Sequence, residues 1–150
     1  MVQYAYYETP FGLMKIGAED GCIVFIGKCA AADTDNYPSP VSDQAATQLA
    51  EYFAGSRKEF DLPLSPKGTP FQEAVWEALT RIPYGEKRSY KDIAVSIGNA
   101  KACRAVGMAC NRNPIWIVIP CHRFVGANQS LTGYAGGLDM KRTLLELEQN

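Results

Sequence analysis

A single histidine stands in the whole 150-residue chain, and it directly follows a cysteine. The pair, Cys121-His122, ends the apolar run Ile115-Trp116-Ile117-Val118-Ile119-Pro120 and is followed by Arg123. A thiol attacks as its thiolate, which a neighbouring base and nearby positive charge favour, so these three residues together can hold an activated sulfur. By itself a Cys-His adjacency more often marks a buried structural thiol. Consecutive side chains of a strand point to opposite faces. Cys121 and His122 therefore cooperate only if the backbone turns after Pro120 or a water joins them. The other cysteines are Cys22, Cys29, Cys103 and Cys110. An odd total, in a chain long enough to bury a core and without an export signal, argues against a disulfide framework. Lacking a Cys-x-x-Cys pair and a second histidine, the chain offers no metal site, and no cofactor is expected.

The elements that must position this pair fall into two groups. Alternation through Val2 to Tyr7, a Thr9-Pro10-Phe11-Gly12 turn, Leu13 to Ala18, Glu19-Asp20-Gly21 and Cys22 to Ile26 predict an antiparallel meander. A loop over Ala30 to Pro40 follows. Ser42 is read as the cap of a helix with inward Ala45, Ala46, Leu49, Ala50 and Phe53, stopped by Gly55, and Phe60 to Leu64 as one more short strand. Pro63, Pro66 and Gly68 then punctuate the chain, giving a β-rich structural domain over residues 1–66 and a second domain over 67–150. In the second, Thr69-Pro70-Phe71-Gln72 predicts a capped helix with an apolar face of Phe71, Val75, Ala78, Leu79 and Ile82. Ile82-Pro83-Tyr84-Gly85 ends it. The fold class is α+β.

Charge is uneven along the chain. Eight basic residues against two acidic ones give residues 81–123 a local charge of +6, against −7 elsewhere. That block is what a phosphate-facing surface inside a mildly acidic protein would produce, and equally what a solvated basic helix face would. Within it, Ser89 can cap a helix from Tyr90 to Ile97, Gly98-Asn99 turns, and a second helix runs from about Ala100 to Cys110: a helix-turn-helix pattern. The second helix is built from Ala102, Cys103, Ala105, Gly107, Ala109 and Cys110, with Arg104 near its middle. Small residues suit close approach to a narrow groove without sequence preference, and they suit tight core packing equally well. No window holds the roughly 20 apolar residues that cross a bilayer, and the N-terminal stretch lacks signal-peptide regions. A cytoplasmic protein without a membrane partner is expected.

Pro120-Cys121-His122-Arg123, preceded by Asn113-Pro114-Ile115 and followed by Leu131-Thr132-Gly133-Tyr134-Ala135-Gly136-Gly137-Leu138, resembles the active-site region of the O6-alkylguanine-DNA alkyltransferases. Ile82-Pro83-Tyr84-Gly85, Ser89-Tyr90, Gly98-Asn99 and Arg104-Ala105-Val106-Gly107 agree in order and spacing, so the resemblance covers roughly Thr69 to Glu148. It implies a winged-helix-like helix-turn-helix in the second domain and irreversible, single-turnover transfer of an alkyl group from O6-alkylguanine in DNA to Cys121. O4-alkylthymine stands as a second possible substrate. The partner implied is double-stranded DNA bound through the minor groove, by a monomer.

The same resemblance implies roles. His122 would act through a water as the base, oriented by Glu148. Asn113 would brace the active-site turn. Tyr90 would donate to the departing guanine. Arg104 would fill the gap left by a flipped nucleotide. Tyr134, the Ala135 N–H, Gly136 and the carbonyls of Cys121 and Phe124 would line the guanine pocket. Together with the basic block, it gives a DNA-binding set of Ser89, Lys101, Ala102, Arg104, Ala105, Gly107 and Arg123. Trp116 and Phe124 are bulkier than the family's usual residues and would narrow the pocket, although Trp116 also fits core packing. The alternative is a non-catalytic alkyltransferase-like lesion-binding protein, and such relatives lack the acceptor cysteine present here as Cys121. A helix-turn-helix regulator would need more base-reading side chains on its second helix. A cysteine hydrolase would need an oxyanion hole, to which no residue points.

Overall fold

The structure, a computed structural model, describes residues 1–126 and 134–149; the Leu131-Thr132-Gly133 part of the motif lies outside the described residues. The chain divides into two compact units, Met1–Lys67 and Gly68–Asn150. Among the described residues no helix is long and apolar enough to cross a membrane.

In the first unit, β1 (Gln3–Thr9), β2 (Gly12–Glu19) and β3 (Cys22–Lys28) form an antiparallel sheet in the order β1-β2-β3. Asp20 and Gly21 both have positive φ (53° and 76°), the paired left-handed conformation whose twist matches that of the strands in a two-residue hairpin. Helix α1 (Pro40–Phe53) covers one face, with Ala45, Leu49 and Tyr52 packing on a core of Ala5, Met14, Ile16, Ile23 and Ile26. Its cap is Ser39, not Ser42: Ser39 accepts from the Ser42 N–H, Pro40 takes the first helical position, and the Ser42 side chain completes the box. A proline at that position, where no N–H is needed, places the cap three residues upstream of the predicted one. The segment Phe60 to Leu64 is not a strand. It makes one isolated bridge, Ile23 to Leu64, through the Ile23 N–H to the Pro63 carbonyl and the Ser65 N–H to the Ile23 carbonyl. Pro63 has no N–H, so the ladder cannot extend.

In the second unit, α2 (Pro70–Thr80) starts on the Thr69-Gln72 capping box, and its buried face is Val75, Trp76, Ala78 and Leu79. The Trp76 indole N–H donates to the Ala109 carbonyl at 2.8 Å, tying α2 to the segment that carries Ala109. A short strand β4 (Arg88–Ser89) runs into α3 (Tyr90–Ser96), capped by Ser89 and Asp92. α4 (Cys103–Asn111) begins three residues later than its pattern suggests, because Asn99 to Ala102 is taken up by a turn. β5 (Phe124–Val125) pairs with β4 in parallel, and α5 (Leu138–Leu147) closes the unit.

Candidate active site

The segment leading to Cys121 is not extended. Asn113, Ile115, Ile117 and Ile119 are buried in alternation with half-buried Pro114, Trp116 and Val118, but the chain folds back on itself twice. Ile117 has φ 72°, and the Val118 N–H reaches the Trp116 carbonyl at 2.8 Å around it. That is a positive-φ γ-turn, a strained conformation for a β-branched residue. Pro120 (φ −82°, ψ 65°) then centres an inverse γ-turn in which the Cys121 N–H meets the Ile119 carbonyl at 2.8 Å. Cys121–Arg123 follow as one 3₁₀ turn. The backbone thus turns at Pro120, the condition under which Cys121 and His122 can cooperate.

Asn113 holds this arrangement together. Its side-chain amide N–H groups donate to the Ile119 carbonyl (2.9 Å) and the Cys121 Sγ (3.2 Å), while its oxygen accepts from the Ile115 N–H (2.9 Å). Cys121 is only 5% exposed. Burial pushes its thiol up to about 11, against the hydrogen bond from Asn113 and the charge of Lys141, which favour the thiolate. At neutral pH the resting thiol is therefore protonated, and attack requires a base.

That base can be His122, which is fully buried with its Nε2 2.6 Å from a Glu148 carboxylate oxygen. Burial lowers its pKa, and Glu148 opposes the shift. The neutral imidazole is thus the resting form, able to take a proton, and the adjacent carboxylate would stabilise the imidazolium that results. Glu148, the C-cap of α5, is itself held by the Arg123 guanidinium through Nε (2.8 Å) and Nη2 (2.9 Å) and by the Gly85 N–H (3.2 Å). Gly85 has φ 82°, and a Cβ there would lie 3.2 Å from the Glu148 carbonyl oxygen. The Ile82-Pro83-Tyr84-Gly85 turn therefore does more than end α2. It supplies a donor to Glu148, the Ile82 carbonyl for Arg123 (2.6 Å), and the Tyr84 ring, whose centroid is 5.7 Å from the guanidinium carbon.

Arg123 corrects one sequence expectation. Its guanidinium is turned inward and spent on Glu148 and Ile82, with the residue 7% exposed, so it does not belong to a phosphate-facing surface. Lys141 is the residue the sequence reading missed. It is fully buried, donates to the Phe124 carbonyl at 2.5 Å, and its charge acts on the Cys121 and Cys110 thiols. Burial lowers its pKa. A signal was present: Lys141, Leu144, Leu145 and Glu148 stand at the i, i+3, i+4, i+7 spacing of the inward face of α5.

Trp116, Tyr134 and Gly136 are brought together. The Trp116 and Tyr134 rings are 6.0 Å apart, and a Cβ on Gly136 would sit 2.6 Å from Met140 Sδ, 2.8 Å from Tyr134 and 3.2 Å from Trp116. Tyr134 is buried, and its hydroxyl meets no partner among the described residues. Ala135 is exposed. The Phe124 ring lies edge-on to Tyr90 at 4.3 Å, while its carbonyl is engaged by Lys141 and the Cys121 carbonyl by the Phe124 N–H. A carbonyl has two lone pairs, so each keeps one acceptor site.

On α4, Val106, Ala109 and Cys110 are buried, and a Cβ on Gly107 would lie 2.7 Å from the Tyr90 ring. These small residues thus answer to inward packing. Arg104 and Ala105 are exposed, as is Lys101 before the helix; Ala102 is half-buried, and Ser89 is committed to capping α3. Of the other two thiols here, Cys110 is buried in the packing and Cys103 half-buried. No group of three His, Cys, Asp or Glu side chains is placed to hold a metal among the described residues.

Two family models match the chain: the 6-O-methylguanine DNA methyltransferase ribonuclease-like domain over residues 2–66 and the DNA binding domain of the same name over 70–150. The chain is 48% identical to the methylated-DNA–protein-cysteine methyltransferase of Methanosarcina acetivorans, over 97% of this chain and 97% of the relative. It is also 48% identical to the constitutive one of Bacillus subtilis, over 99% and 96%. Among solved structures it is similar to the Mycobacterium tuberculosis protein in complex with DNA, with a TM-score of 0.90 and 44% identity over 98% of this chain and 92% of that one.

Proposed function

Because the chain belongs to the 6-O-methylguanine DNA methyltransferase family, we propose that it repairs DNA by moving the alkyl group of O6-alkylguanine onto its own Cys121. The observation that carries this reading is a buried thiol braced by Asn113 and followed by the His122-Glu148-Arg123 cluster. His122 takes the thiol proton through a water, and Glu148 steadies the imidazolium. The Sγ–carbon bond forms as the carbon–O6 bond breaks. The electron pair goes to the guanine, whose oxygen accepts a hydrogen bond from the Tyr90 hydroxyl, and the proton taken up by His122 returns through water to neutralise the departing base. The thioether has no easy hydrolysis, so each chain acts once and the damaged base leaves repaired.

A nearly buried Cys121 cannot reach an alkyl group inside a stacked duplex, so the nucleotide is extruded. The pocket that receives it is walled by Tyr134, Trp116, Gly136 and Phe124, with the Ala135 N–H as donor. The α3–α4 pair, with β4 and β5 beside it, acts as a winged-helix-like helix-turn-helix. α4 lies in the minor groove with Arg104 filling the vacated stack, and Lys101, Ala102, Ala105 and the Ser89 region contact the backbone. On this reading the first unit is structural, and the protein works as a cytoplasmic monomer without cofactor or metal.

Nucleoside analysis of a duplex carrying one O6-methylguanine tests the reading. Restored guanine in an amount equal to the protein added, with no abasic site or strand break, is the expected result. Repair exceeding the protein added would mean turnover, and tight binding without restoration would favour the lesion-binding alternative.

A further inference from the structure

The exposed face of α4 carries two long side chains of different chemistry, Arg104 and Met108, and only Arg104 has a role above. Residues of an α-helix are rotated by about 100° from one to the next. Arg104, Ala105, Met108 and Asn111 are the exposed residues of α4, and they fall within about 120° of one another on that geometry. Met108 stands at the middle of the sector, about 40° from Arg104 and about 60° from both Ala105 and Asn111. It is 56% exposed, more than either Val95 (54%) or Leu138 (44%), the other exposed large apolar side chains among the described residues of this unit. The small residues of α4 do not make its outer face smooth, because Gly107 makes room for Tyr90, and Val106, Ala109 and Cys110 pack inward. One turn beyond Arg104, the outer face therefore presents a long, unbranched, polarisable thioether. Such a side chain adapts its shape to an irregular apolar surface, and apolar side chains on groove-binding elements pack on sugars and wedge against base steps.

We infer that Met108 is a second groove-contacting side chain, an apolar one that packs on deoxyribose and base edges beside the step occupied by Arg104. The inference rests on α4 being the DNA-facing helix. It implies that part of the affinity for DNA comes from apolar burial and is independent of salt, since such a contact releases no counterions.

The test is anisotropy titration of a labelled duplex with the full chain across a salt series, for wild type, Met108→Ala, Met108→Leu and Arg104→Ala. Met108→Ala is expected to weaken binding by about 3- to 10-fold with an unchanged slope of log affinity against log salt. Met108→Leu should recover to within about twofold, whereas Arg104→Ala should lower the slope by about one. Cys121 reactivity toward iodoacetamide should match wild type in both Met108 variants. Wild-type affinity in Met108→Ala beside weakened Arg104→Ala would overturn the inference alone. Unchanged affinity in both would overturn the α4 reading and the inference with it. Loss of Cys121 reactivity in Met108→Ala would overturn the inference by marking Met108 as structural.

Discussion

The two units treat charge in opposite ways. In the first, every ion pair found has at least one well-exposed partner, as in Lys15–Asp33 and Arg57–Glu51, and the buried polar residues are the uncharged Ser42 and Gln48. In the second, His122, Arg123, Lys141 and Glu148 are all buried within one cluster behind Cys121. Exposed pairs contribute little, whereas burying ions costs several kcal/mol each unless geometry and hydrogen bonds offset it, by general experience with both. A chain that can fold its first unit without buried ions has no stability reason to bury four titratable side chains in the second. On the proposed mechanism they sit where a proton must be moved at an otherwise inert thiol.

That contrast can be broken from its strongest point downward. Glu148→Gln removes the carboxylate that pairs with Arg123 and His122, and should cost about 3–5 kcal/mol in urea unfolding together with most of the transfer rate. A cost no larger than that of a surface pair would erase the distinction between the units. His122→Gln should slow single-turnover transfer at neutral pH by about 100-fold or more, with a change in the shape of the pH profile. On the proposed mechanism the neutral imidazole is the base in wild type. Its pKa is lowered, so the rate holds as pH falls below the ordinary histidine range and drops only where His122 is at last protonated. In His122→Gln the rate should follow the bare thiol, climbing with pH toward about 11. Parallel profiles would remove His122 from the proton path.

A smaller effect is expected at the pocket wall. Gly136→Ala drives a Cβ toward Met140, Tyr134 and Trp116 and should cost about 1–3 kcal/mol, read as a lower unfolding midpoint, with larger alkyl groups slowed more than methyl. Arg57→Ala in the first unit sets the floor, with an expected change within about 1 kcal/mol.

Much of the scaffold was legible in the sequence because its signals are local. Thr69-Pro70-Gln72 is a complete capping box within four residues, and Asp20-Gly21 can adopt few turns other than the one found. Ser39 and Ser42 offer the same capping chemistry, and only Pro40, at the first helical position, decides between them. Phe60 to Leu64 has strand composition, yet a single missing N–H limits it to one bridge. The site was legible in a different way. Cys121-His122 declares its chemistry, but nothing local joins His122 to a glutamate 26 residues on, and only the resemblance led to Glu148. Arg123 and Lys141 illustrate what neither route supplies. Arg123 reads as a charge beside the thiol and as a DNA contact, and Lys141 as one position of an amphipathic face; their inward hydrogen bonds come only from the fold.

Transfer to Cys121 is tested by intact-protein mass spectrometry after mixing the chain with a duplex containing one O6-methylguanine, with Cys121→Ala alongside. The account predicts a gain of one methyl mass, about 14 Da, on wild type alone and saturating at one per chain. A gain that persists in Cys121→Ala, or no gain on wild type while the guanine is still restored, would contradict transfer to Cys121.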